Sequence, residues 1–287
     1  MTNTQTQEGN EILIPRKIVV THLQGKEFYD SRKDRALKSL IDQGYQPVFM
    51  PQLIDARIES DKDSRVWQTG FTTPSIRATG IPQRGKYAGK PVVAYFHADN
   101  HISNPDNITE AIDGKEGLVN YAGRIPQEEF QRFVDLDGQT DQYGNQVSFL
   151  VPYDDLRGSK SGVIPVKHAL SHPQVIPFLG GEERAKKYLQ RHKEVFGDEI
   201  GVWHLDDLDK EGNEPLPLGR LLYLGDGYIN GLDGDDDLNG NGQFVGVRDG
   251  AQKISRPSLE QMLKYSERFV PEVARTDFKK GLEGLYK

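Results

Sequence analysis

Short apolar runs, polar turns and amphipathic stretches alternate along the chain. "RKIVVTHL" (16–23) is uninterrupted and β-branched, and it reads as a buried strand. "SRKDRALKSLIDQG" (31–44) reads as a helix with Leu37, Leu40 and Ile41 on one face and Gly44 as its stop. "QPVFMP" (46–51) reads as the next strand, which makes a β-α-β unit with a right-handed crossover. "KPVVAYFHAD" (90–99), "SFLVPYDD" (148–155) and "GRLLYLGDG" (219–227) read as further strands. A second β-α-β unit is expected from "QVIPFLGG" (174–181), "EERAKKYLQRHKEVFG" (182–197) and "DEIGVWHLDD" (198–207). Helices are expected at 126–134 and at "SLEQMLKYSERFV" (258–270).

Uniformly apolar strands alternating with helices predict an α/β fold. The expected architecture is a mostly parallel, doubly wound sheet with helices on both faces, and a (β/α)8-like barrel comes second. Residues 1–12 read as a disordered tail, and 13–287 as a single α/β domain with a loop-rich insertion around 100–147.

Composition narrows the function. The net charge of −7 creates no field for nucleic acid or an anionic membrane, so neither is expected as a partner. The short basic clusters, such as Arg32-Lys33, read as solvated surface. With no cysteine, disulfides, thiolate catalysis and cysteine metal sites are excluded. The start of the chain lacks the pattern of a secretory signal, and no apolar run reaches the roughly 18–20 residues that span a bilayer, so a soluble, cytoplasmic protein is expected.

The strands repeatedly end in acid: Asp99, Asp154 and Asp155, Asp206 and Asp207, and Asp226. In a parallel sheet these carboxylates share one edge, where α/β proteins place their sites. Asp is also a common cap and turn residue, which explains any one of them without function. In "FHADNHISN", His97, Asp99 and His101 are spaced by two and would share one strand face, a ligand set for a divalent transition metal. Magnesium is the other divalent ion the acidic edge suits. His204, Asp206, Asp207 and Asp226 are the candidate catalytic groups beside it. "TGFTTPSIRATG" (69–80) reads as a hydroxyl-rich loop, with Thr72, Thr73, Ser75 and Arg77 as substrate-binding residues. The layout from "RKIVV" to "GKPVVAYF" resembles that of nucleoside deoxyribosyltransferases, but Gln83 stands where their acidic nucleophile would fall.

The stretch "DGDDDLNGNGQ" (233–243) carries Asp235, Asp237 and Asn239 at alternate positions, then Gly240, with Asn241 and Gln243 beyond and Asp233 just upstream. This is similar to the first half of an EF-hand loop, so structural calcium is expected. Gly242 stands where that pattern has an apolar residue, and Gly246 where it has a bidentate glutamate. The competing reading is a solvated acidic turn.

Three functions follow. The first is a metal-dependent hydrolase with an acidic cleft, acting on a small-molecule phosphoester or sugar. The second is a metal-free nucleoside or sugar transferase or lyase using a strand-end Asp. The third is a non-enzymatic, calcium-stabilised ligand-binding protein. Nothing in the sequence sets the oligomeric state.

Overall fold

The structure is a computed structural model that describes residues 25–141, 144–204, 209–212, 214–227, 229 and 231–247. The tail expected at 1–12, the strand at 16–23, the helix at 258–270 and the residues Asp206 and Asp207 lie outside them. The compact unit holding the described residues ends at Val247.

The chain opens with β1 (Lys26–Asp30), α1 (Lys33–Asp42), β2 (Gln46–Pro47), α2 (Met50–Glu59) and α3 (Arg65–Gln68). A long strand β3 (Phe71–Gly80) is followed by β4 (Val92–Phe96), α4 (Pro105–Asp113), β5 (Gly123–Arg124) and α5 (Gln127–Asp135). Next come β6 (Ser148–Pro152), α6 (Tyr153–Arg157), β7 (Gly162–Pro165), α7 (Val166–Ala169), α8 (Val175–Leu179) and α9 (Glu182–Phe196). The last elements are β8 (Glu199–Trp203), α10 (Asp209–Gly212), β9 (Leu218–Leu224), β10 (Leu232–Asp233) and β11 (Gly242–Val247).

The strands form two sheets. The smaller has the order β1-β11-β2, and the larger β6-β4-β3-β9-β10-β8-β7, with β5 also pairing β9. Pairing between these strands is antiparallel throughout, except for the parallel pair β8–β10. The mostly parallel, doubly wound sheet is therefore wrong, and so is the (β/α)8-like barrel.

The reason lies in the core. Along β4, Val93 and Tyr95 pack into one apolar cluster with Trp67 and Phe178, while Val92, Ala94 and Phe96 pack into another with Phe130 and Phe133. Both faces of the large sheet are covered. A doubly covered antiparallel strand is as uniformly apolar as a parallel one, so hydropathy does not separate the two.

The second expected β-α-β unit does not form, and the opening strand of the first, at 16–23, lies outside the described residues. After Pro47 the chain turns into α2, whose Pro51 sits in the first turn and whose Gln52 side chain accepts the Phe49 N–H at 2.9 Å. The "QVIPFLGG" run is α8, with Pro177 tolerated in its first turn and Gly180 in the left-handed region (φ 75°) as its C-terminal cap. The helices at α1, α5 and α9 lie where periodicity placed them. No helix among the described residues is long and apolar enough to cross a membrane.

Candidate functional site

The expected metal ligands do not meet. Strand β4 ends at Phe96, so His97, Asp99 and His101 no longer alternate on one face. His97 turns inward, with Nδ1 3.1 Å from Ser75 Oγ and Nε2 2.8 Å from the Pro177 carbonyl. Burial lowers its pKa to about 4. Asp99 is exposed, and His101 opens a short 3-10 turn against Asn107. Among the described residues no three His, Cys, Asp or Glu side chains gather into a metal site.

The strand-end carboxylates are dispersed for a topological reason. Antiparallel neighbours send their C-terminal ends in opposite directions, so β4 and β6 deliver Asp99 and Asp154 to opposite edges. His204 leaves β8, and Asp226 leaves β9, which runs antiparallel to it through β10. His204 lies against Ser159 Oγ at 3.1 Å and beside the His172 ring. Asp226 is exposed beyond β9. The catalytic set His204, Asp206, Asp207 and Asp226 is thus not assembled by the described residues.

The 69–80 segment is no loop. It is β3, an interior strand of the large sheet, buried along all of its length. Thr73 donates to the Leu222 carbonyl at 3.3 Å, and Ser75 accepts the Met50 N–H at 2.9 Å. Thr72 is also buried, and Arg77 pairs with Glu211 at 2.8 Å. The hydroxyls of Thr73 and Ser75, which read as substrate contacts, satisfy backbone groups instead, while that of Thr72 is buried with no hydrogen-bond partner.

The 233–243 stretch departs from the calcium pattern as well. Asp237, Asn239 and Asn241 are exposed, and Gln243 is on β11 near Glu27. Asp236, which is not among the expected calcium ligands, faces inward. It accepts from Lys33 Nζ at 2.8 Å, and the same ammonium donates to the Asp237 carbonyl. Lys33 is fully buried, which corrects the solvated reading of Arg32-Lys33. Arg220, also buried, donates to the Asp235 carbonyl at 3.0 Å, to Asp237 Oδ1 at 3.3 Å and to the Asn120 carbonyl. These two basic side chains hold the loop from beneath.

What the sheet does build is a row of side chains. Asp233 on β10 pairs in register with Trp203 on β8 and with Tyr223 on β9. Residues directly opposite on neighbouring strands share a face, so an acid lies between two aromatic rings. With Asp235, these residues line an open cavity of about 280 Å³. Burial and the neighbouring Asp235 raise the pKa of Asp233 well above the carboxylate range. Burial together with Asp226 and Asp236 raises Tyr223 to about 12. The row therefore offers two aromatic surfaces, a carboxyl at Asp233 that burial shifts toward its protonated form, and a second carboxyl at Asp235.

Gln174 positions this row, and nothing in its local sequence marks it. Its buried amide accepts from Tyr95 Oη at 3.0 Å and donates to the carbonyls of Trp203 (2.8 Å) and Leu232 (3.1 Å). Those carbonyls immediately precede or belong to the row's own residues. Gln174→Leu takes the partner from the buried Tyr95 hydroxyl and one hydrogen bond each from the Leu232 carbonyl and the Trp203 carbonyl, which keeps the Gly234 N–H at 2.9 Å, so thermal unfolding should show a loss of about 1–3 kcal/mol. A variant as stable as the wild type would remove Gln174 from this role.

No family model and no curated protein matches the chain. A solved structure, described as "Accommodation of massive sequence variation in Nanoarchaeota by the C-type lectin fold", is 45% identical to it with a TM-score of 0.69. The match covers 80% of this chain and 100% of that one. This likeness, with the antiparallel sheets and the scattered metal ligands, overturns both the α/β assignment and the metal-dependent hydrolase. The chain belongs to the family of C-type lectin-fold proteins that this Nanoarchaeota structure represents.

Proposed function

We propose that the protein is a non-enzymatic binding protein whose ligand, a small carbohydrate, seats on the Trp203–Asp233–Tyr223 row. The observation that carries the reading is the 45% identical C-type lectin-fold relative. The chemistry of the row supports it. A sugar ring presents an apolar C–H face to an aromatic side chain and hydroxyls at its edge, and Trp203, Tyr223, Asp233 and Asp235 supply partners for both.

The relative's fold accommodates massive sequence variation. Here Asp226, Asp237, Asn239 and Asn241 are exposed on a backbone held by buried Lys33, Gln174, Arg220 and Leu238. Side chains on such a rim change specificity at small cost in stability, because the buried groups that fix the loop are elsewhere.

A glycan array probed with the wild type and with Tyr223→Ala and Trp203→Ala tests the proposal. The wild type should retain a defined glycan class. Each variant should lose roughly tenfold or more in affinity while staying folded by circular dichroism. Absence of any retained glycan, or unchanged binding by both variants, defeats this reading.

A further inference from the structure

Calcium is a common companion of the C-type lectin fold, and the 233–243 loop carries the spacing of a calcium loop. We propose that Lys33 supplies the cation of this loop: its ammonium, delivered by α1, takes the place of a calcium ion, and the loop is built and held without metal. The inference stands apart from the carbohydrate reading.

The contacts are of the right kind. Lys33 Nζ is met by a carboxylate oxygen of Asp236 at 2.8 Å and by the main-chain carbonyl of Asp237, the two donor types a calcium loop uses. The ammonium is fully buried, and its stem comes from the first turn of α1, so it has no solvent-facing position to retreat to. A divalent ion placed on the same oxygens would sit beside a fixed positive charge at low dielectric, where repulsion is strong.

Helix and loop are joined through the backbone as well. The Lys33 N–H donates to the Gly240 carbonyl at 3.1 Å. A Cβ at Gly242 would stand 2.8 Å from Lys33 Cα. That approach explains why glycine occupies the position where a calcium loop has an apolar residue. The helix bearing the ammonium packs against the loop there, and only a residue without a side chain leaves room.

The loop's register agrees. A calcium loop turns alternate oxygens inward, but Asp237, Asn239 and Asn241 are exposed and Asp236, just before them, faces in. Arg220 pairs with Asp237, so a second loop carboxylate also has a cation from the protein itself. One carboxylate oxygen, Asp236 Oδ2, is buried with no hydrogen-bond partner in the structure. Taking the ammonium away leaves this carboxylate and the Asp237 carbonyl without a cation.

Melting of the full chain in chelator and in millimolar calcium tests the proposal, with Lys33→Ala and Lys33→Met alongside the wild type. The wild type should melt at one temperature in both conditions. Both variants should melt several degrees lower in chelator. Lys33→Ala, which vacates the position, should recover part of that loss in calcium, and adding Asp236→Asn should abolish the recovery. A wild type that gains stability from calcium, with the gain lost in Asp236→Asn, overturns the proposal. Variants as stable as the wild type in chelator overturn it too. If Lys33→Ala does not fold, Lys33→Met, which keeps the apolar stem and loses the charge, decides together with the wild-type comparison.

Discussion

Glu211→Gln is expected to cost about 3–5 kcal/mol, which for a chain of this size lowers the melting temperature by roughly 6–20 °C. Arg77 and Arg220 lie directly opposite each other on β3 and β9, both buried. Two like charges in register across a sheet repel, and burial strengthens the repulsion. Glu211 lies between them with its own carboxylate buried. One oxygen takes Arg77 Nη2 at 2.8 Å and Thr79 Oγ1 at 3.1 Å, and the other takes Arg220 Nε at 2.8 Å. Arg77 Nε and Nη1 have no protein partner, so this carboxylate is the group that offsets its charge.

The amide of glutamine keeps the shape and removes the charge, which isolates the electrostatic part. Arg220 also holds the Asn120 and Asp235 carbonyls, so loosening it should loosen the loop that carries Asp235. Circular dichroism melting reads the first effect, and amide hydrogen exchange over 233–241 reads the second. A melting shift below a few degrees would show that the two arginines are compensated by something other than Glu211.

Acid should destabilise the protein between pH 6.5 and 4. His97, His172 and His192 are buried, and burial lowers each to about 4. In the unfolded chain each takes up a proton near 6.5. Between these values the unfolded state binds more protons than the folded state, so stability is full above about pH 6.5 and falls as the pH drops. Each histidine contributes up to about 1.4 kcal/mol per pH unit. Asp99, Asp137, Asp233 and Asp236, all raised by burial, act in the opposite sense, because a raised pKa makes the folded state the better proton binder, and they offset part of the histidine effect.

His192 gives the cleanest test. Neither of its ring nitrogens has a partner, and the ring packs between Tyr188 and Phe196. His192→Phe keeps an aromatic ring there and removes the titration. Its denaturation midpoint should therefore fall less steeply with acid than that of the wild type, by up to about 1.4 kcal/mol per pH unit. Parallel profiles for the two proteins would assign the acid sensitivity to other groups.

Local elements whose pattern is self-contained are legible in the amino-acid order. Helix α9 and helix α1 are amphipathic over enough turns to be read alone, and strands β4, β6, β8 and β9 are apolar runs between turn residues. The loop at 233–243 was also visible, because glycine and acidic residues in that density form a turn in any context. Cysteine chemistry was excluded by composition alone.

Tertiary structure alone decided strand direction, and with it the fold and the site. Direction depends on which strands meet, and an apolar strand covered on both faces carries no mark of its neighbours' polarity. Once the pairing is antiparallel, strand-end carboxylates scatter, while Trp203, Asp233 and Tyr223, separate in sequence, fall into one row. Burial of charge was equally hidden. Lys33, Arg77 and Arg220 look like surface residues by type, and their partners Asp236 and Glu211, distant in sequence from Lys33 and Arg77 and near only to Arg220, allow them inside. The acidic loop showed its need for a cation in its own residues, but the ammonium of Lys33, two hundred residues earlier in the chain, is placed there by the fold.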